Sequence, residues 1–198
     1  MPARTVAAVA AIGVIGAIGA APARAEVPDA KCEGPSNSTI GDYRVAQPFT
    51  ALNTGHLVRF QAVARNVAAP SSWTVQIDAI DGSGKPANAP LAETTIPVGT
   101  TPPTGGPLQV EGSFPTPALV TAGTTYALVI APSTPGIGNL PMATDGDRCP
   151  GQAYGDDAAN PGTWPFSYAA LGLDLIFATF VEPPKSNRTL TLDANKTG

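Results

Sequence analysis

The sequence predicts an all-β fold, an antiparallel β-sandwich of jelly-roll or Greek-key type, on three observations. First, 21 glycines and 22 prolines in 198 residues punctuate the chain too often for long helices, while charged residues, at 13%, are too few for a solvated polymer. Second, several segments alternate apolar and polar side chains at period two, the pattern of half-buried strands, and no segment sustains a helical period. Third, Gly123–Pro132 is apolar on both faces, with Tyr126, Leu128 and Ile130 on one and Ala127, Val129 and Ala131 on the other. A strand of that kind needs cover on both sides, and the chain offers other strands to provide it.

Residues 1–25 read as a leader. Arg4 supplies a positive start, Val6–Ala21 an apolar stretch, and Ala23-Arg24-Ala25 a cleavage motif. The run is built largely of Ala and Gly and is short for a membrane span, so the expectation is export, a mature chain from Glu26 and no membrane insertion after cleavage. Losing Arg4 and Arg24 leaves that chain two charges more negative than the −4 of the full sequence. Its cations are scattered singly, which argues against nucleic acid or an anionic membrane as partner.

The sandwich domain is expected over 26–182. Glu26–Ile40 reads as an arm, loop-like through Gly34-Pro35-Ser36-Asn37-Ser38. Tyr43–Phe49 is a first strand, with Pro48 marking an edge or a bend. In Leu57–Val67, Val58, Phe60, Ala62 and Ala64 face in, against Arg59, Gln61 and Arg65. Trp73–Ile80 repeats the pattern: Trp73, Val75, Ile77 and Ala79 face in, and Thr74, Gln76 and Asp78 face out. Asp81-Gly82-Ser83-Gly84 makes the turn after it. Leu91–Val98 is a weaker strand, Gly99–Pro107 a loop, and Leu108–Phe114 another strand before the central Thr124–Ile130. Ala131–Tyr168 shows no sustained period and is long for a structureless loop, so it is expected to carry function or small extra strands. Leu171–Val181 closes the domain, with Leu173, Leu175, Phe177 and Val181 on one face. Pro183-Pro184-Lys185-Ser186 begins a stiff linker over 183–198, in which Leu190 and Leu192 open a new alternation.

Cys32 and Cys149 are the two cysteines, and an even count in an exported chain predicts that they pair. No catalytic apparatus is visible. The single histidine, His56, sits beside Gly55 before a strand, and no Gly-x-Ser-x-Gly elbow exists for it to serve. Gly82-Ser83-Gly84-Lys85 lacks the first glycine and the final Ser or Thr of a phosphate loop. Asp156 and Asp174 would have to face each other across a cleft to act as a glycosidase pair.

The long loop holds the remaining candidates. Asp145, Asp147, Asp156 and Asp157 offer the hard oxygens that calcium takes, against the plainer reading of solvated turn aspartates. Tyr154, Trp164 and Tyr168, with Phe166, could present rings for stacking on a sugar, against the reading that they pack beneath the loop.

Five segments, Ala46-Gln47-Pro48-Phe49-Thr50, Trp73-Thr74-Val75-Gln76-Ile77, Ala122-Gly123-Thr124-Thr125-Tyr126-Ala127-Leu128, Cys149-Pro150-Gly151-Gln152-Ala153-Tyr154 and Asp174-Leu175-Ile176-Phe177-Ala178-Thr179-Phe180, together resemble a β-sandwich module common in secreted actinobacterial proteins of unassigned function. The likeness covers residues 32–181 and is similar in outline to carbohydrate-binding jelly rolls, but its motifs are strand and turn patterns and imply no binding residues. The tail Arg188–Lys196 resembles the opening strand of an immunoglobulin-like repeat, which implies that the chain is part of a longer product. The expectation is therefore a secreted, non-catalytic binding or adhesion module with an extracellular glycan or cell-surface partner. The alternative is a structural spacer or cap with no small ligand.

Overall fold

The structure, a computed structural model, describes residues 25–35, 38–41, 43–65, 71–99, 106–133, 140–144, 146 and 148–184. The expected leader up to residue 24, the tail from 185, and Asp145 and Asp147 lie outside the described residues. The described chain is built of β1 (Val27–Cys32), β2 (Ser38–Thr39), β3 (Arg44–Thr50), β4 (Gly55–Arg65), β5 (Ser71–Ile80), β6 (Pro86–Val98), β7 (Leu108–Val120), β8 (Thr125–Pro132), β9 (Leu140–Ala143), β10 (Tyr154–Asp156), β11 (Phe166–Ser167) and β12 (Phe177–Glu182). One 3-10 turn, Ala169–Leu171, is the only helical element among the described residues.

The strands form two antiparallel sheets. The first runs β1-β12-β4-β9-β2, with β7 also paired to β4, and the second runs β11-β10-β3-β8-β5-β6. The expected all-β sandwich is what forms. Between the sheets lie the inward side chains of both: Leu57 and Phe60 from β4, Trp73 and Ile77 from β5, Leu128 and Ile130 from β8, and Leu175, all fully buried. Phe49 sits between Tyr126 and Phe177 at centroid distances of 6.2 and 5.8 Å. Burying each such side chain contributes about 1.5–3 kcal/mol relative to exposure.

The edges close by different means. β6 and β7 approach so tightly that a Cβ on Gly112 would stand 2.8 Å from both Ile96 and the Phe60 ring, so only glycine fits there. At the far edge of the first sheet the expected Cys32–Cys149 disulfide joins β1 to the long loop, with Cα atoms 5.6 Å apart.

Several boundaries differ from those the sequence suggests, each for a physical reason. The arm is not all loop, because β1 pairs with β12 and buries Asp29, Ala30 and Cys32. Asp29 Oδ1 accepts hydrogen bonds from the Leu52 and Asn53 amides, at 2.9 and 2.7 Å, which explains a buried acid in a short strand. β7 continues past Phe114 through Pro115 and Pro117, as an edge strand can. It carries extra residues between Ser113 and Ala118 opposite Val58, so Leu57 and Phe60 face in and Val58 does not. β6 starts at Pro86, earlier than expected. β12 begins only at Phe177, after the 3-10 turn and a single bridge from Leu175 to Ala143. Its inward positions include Thr179, whose hydroxyl accepts from the Ala30 amide at 3.1 Å. The 131–168 stretch carries the small strands β9, β10 and β11. Among the described residues no helix is long and apolar enough to cross a membrane.

Candidate functional site

The long loop returns over the outer face of the second sheet, and the side chains with unusual chemistry gather there. Registers place Tyr154, Ala46, Val129, Gln76 and Glu93 in one row across β10, β3, β8, β5 and β6. Pro48, Ala127 and Asp78 lie in an adjacent row, and Asp156 is opposite Arg44 at the other side. The small residues Ala46 and Ala127 leave a shallow seat. Trp164 fills it, packing on Ala46, Ala127 and Val129 with Ile80 and Tyr154 beside it. Its ring is 1% exposed.

Residues 157–165 form the strap that delivers this ring. Their sequence, Asp-Ala-Ala-Asn-Pro-Gly-Thr-Trp-Pro, is turn chemistry: Asp157 Oδ1 accepts from the Ala159 amide at 3.0 Å and the Asn160 amide donates to the Asp157 carbonyl. Gly162 has φ 90°, and a Cβ there would stand 3.0 Å from the Asn88 side chain. Trp164 itself adopts φ 50°, in the left-handed region that costs an L-residue about 1–2 kcal/mol. Burial of the indole offsets that cost.

Polar contacts hold the strap down. Asp156, whose side chain is fully buried, accepts from Arg44 Nε at 2.9 Å, from the Gly162 amide at 2.8 Å and from the Trp164 amide at 3.3 Å. Lys85 Nζ donates to the Trp164 carbonyl at 3.0 Å, and the Asn88 side-chain amide donates to the Gly162 carbonyl at 2.9 Å. Arg44 also donates to Asn88 Oδ1 at 2.9 Å and stands 4.8 Å from the Trp164 ring centroid, within cation–π range. Burial alone would raise the Asp156 pKa, but the Gly162 and Trp164 amides and the Arg44 guanidinium together hold it below the ordinary aspartate value.

Asp78 is the exception in this network. It is 0% exposed, and neither of its oxygens nor the Trp164 Nε1 has a hydrogen-bond partner. Burial pushes its pKa up, Glu93 adds to that, and Arg44 and the Asn88 backbone amide act against it.

The loop candidates therefore divide. Tyr154 and Trp164 share the outer face, but Tyr168 packs against the core between the sheets, so the three rings do not form one platform. The exposed indole envisaged for sugar stacking is replaced by a buried one. Phe166 is the large ring of this loop left 48% exposed. Of the four candidate calcium ligands, Asp156 is engaged by Arg44 and two amides and Asp157 stabilises its own turn. The close grouping of potential metal ligands among the described residues is Cys32, Cys149 and Asp174, where the sulfurs are bonded to each other and Asp174 Oδ2 accepts from the Arg148 and Cys149 amides.

Clefts open elsewhere among the described residues, two of them sizeable. One, of about 340 Å³, is lined by Pro28, Asp29, Phe49, Leu52, Pro150 and Phe177. The other, of about 420 Å³, is lined by Glu33, Gln61, Pro107, Gln109 and Ala178 among others. Each contains a single acid, so neither offers the facing carboxylates of a glycosidase. Arg44, Lys85, Asp78 and Asn88 were not among the candidates that sequence reasoning singled out. Asp78 reads as an outward, solvated position in its strand, and nothing local announces the strap that covers it. The chain matches no known protein family and no curated protein sequence.

Proposed function

We propose that the chain is an extracellular, non-catalytic structural module that spaces or caps a larger surface assembly. One observation carries this reading: Trp164, the ring best suited to stack on a ligand, is buried in the module's own surface, held by Asp156, Lys85 and Asn88 contacts. A strap whose indole and whose acids Asp156 and Asp157 are engaged internally stiffens a domain instead of recognising a partner. The Cys32–Cys149 disulfide supports an oxidising compartment, in line with the leader read over residues 1–25. The pairing of β12 and β7 with β4, against β3-β8-β5-β6, supports a jelly-roll description, since the chain crosses between the sheets from β3 to β4, β4 to β5, β6 to β7 and β7 to β8, and the first and last strands, β1 and β12, pair.

The test is a glycan array and an insoluble-polysaccharide pull-down with the full chain, run with calcium and with chelator, alongside Trp164→Ala. The expected result is no retention in any condition, with the variant melting at a lower temperature. Retention abolished by Trp164→Ala at unchanged melting temperature would instead establish a glycan-binding module, and retention lost on chelation would restore the calcium reading.

A further inference from the structure

Asp78 and Trp164 are neighbours beneath the strap. Trp164 packs on Ala127 and Ile80; Ala127 is the register partner of Asp78, and Ile80 follows it by two residues on the same face of β5. The ring thus covers the ground around a buried carboxyl that makes no close hydrogen bond and has the Asn88 backbone amide acting on it. The groups facing this pocket can be taken element by element. β5 contributes only Gln76, whose amide binds Glu93, and β8 contributes the uncharged Ala127 and Val129. β3 contributes Arg44, β6 contributes Asn88 and Glu93, and β10 contributes Tyr154 and Asp156. Asp157 in the strap and Lys85 in the turn before β6 complete the set. Arg44 is the guanidinium among these groups; its hydrogen bonds go to Asp156 and Asn88, and it acts on Asp78 only through space.

We propose that the 157–165 strap is a pH-responsive latch in which a proton on Asp78 leaves Arg44 wholly to Asp156 and keeps the strap shut over Trp164, while release of that proton to solvent sets two carboxylates against one guanidinium and lets the strap lift. The link is short. Arg44 holds Asp156, and Asp156 holds the amides of Gly162 and Trp164, so any draw on Arg44 loosens both ends of the turn. Trp164 sits at a φ of 50°, so lifting the strap relieves backbone strain there. The raised pKa of Asp78 supports the direction: the contribution of the protonated acid is fully present below the ordinary aspartate range and is lost as pH rises through its folded value.

The measurement is hydrogen exchange of the Gly162 and Trp164 amides in the full chain from about pH 4 to about pH 8, corrected for intrinsic exchange, where each pKa unit of displacement corresponds to about a tenfold change in opening. In wild type, protection should fall by about tenfold or more across the range. In Asp78→Asn it should stay level and exceed wild type at neutral pH. A level wild-type profile, or a variant that retains the wild-type slope, overturns the latch. Should Asp78→Asn not fold, the carboxyl carbon of Asp78 is titrated by NMR in wild type: a midpoint coinciding with strap opening sustains the proposal, and one that does not defeats it. The outcome is independent of whether the module binds glycan.

Discussion

Asp156 and Asp78, on either side of the Ala46 row of one sheet, are driven in opposite directions by what surrounds them. Asp156 has a guanidinium and two amides, so it stays ionised, and its stabilising contribution is present above the ordinary aspartate pKa and lost as pH falls through the lower folded value. Asp156→Asn leaves the half-buried Arg44 without its counter-charge and should cost about 1.5–3 kcal/mol in urea unfolding at neutral pH, with the acid limb of the stability profile flattened. Trp164→Ala removes a buried indole from a seat that cannot collapse onto Ala46 and Ala127, and should cost about 3–5 kcal/mol. A loss below about 1 kcal/mol would mean that the ring is not packed in solution. Trp73 shows the contrast in legibility: its burial is readable because it alternates with Val75 and Ile77 in a strand. Trp164 stands in a turn-rich stretch with no period, where nothing marks a ring as inward or outward.

Among the elements, β8 is the most instructive. Its two apolar faces imply two covers, and both exist: the opposing sheet on one side, and Trp164 on the other over Ala127 and Val129. The pattern implies a cover without naming it. Ala127→Leu should overpack that seat, lifting the strap and costing about 1–3 kcal/mol by thermal melting, with tryptophan emission shifted to the red as Trp164 meets water. An unchanged melt and spectrum would place the strap elsewhere. β1 escaped periodicity because its buried positions are Asp29, Ala30 and Cys32, an acid, a methyl and a disulfide sulfur, whose burial depends on partners from the 52–53 turn, β12 and Cys149. β7 escaped because proline ordinarily ends a strand, and only its place at a sheet edge allows Pro115 and Pro117 to stay within it.

For the molecule as a whole, the disulfide joins positions 117 apart, fastening the first strand to the loop that precedes the last. Constraint of so long a loop in the unfolded chain contributes about 4–5 kcal/mol on the entropic account, so Cys32→Ala/Cys149→Ala should lose that amount in denaturant unfolding while keeping its far-ultraviolet β signature. Loss of the β signature itself would show that the bridge is needed for folding and not only for stability. The clefts and the strap belong to this scale too, because each is assembled from segments distant in sequence.

Period-two alternation, the density of turn residues and a paired cysteine count are local or compositional properties. The sequence alone therefore determined the all-β class, most of the strands facing the core, the hairpin at Asp81 and the disulfide. Which surface becomes an interior is not local. Asp78 alternates like a solvent-facing residue, Trp164 sits in a segment without a period, and Arg44 looks like any residue opening a strand. Only the tertiary structure decided that they meet, because burial depends on what the chain lays across a face, and a strap about eighty residues downstream of Asp78 covered the part of the sheet around Ala46, Ala127 and Val129.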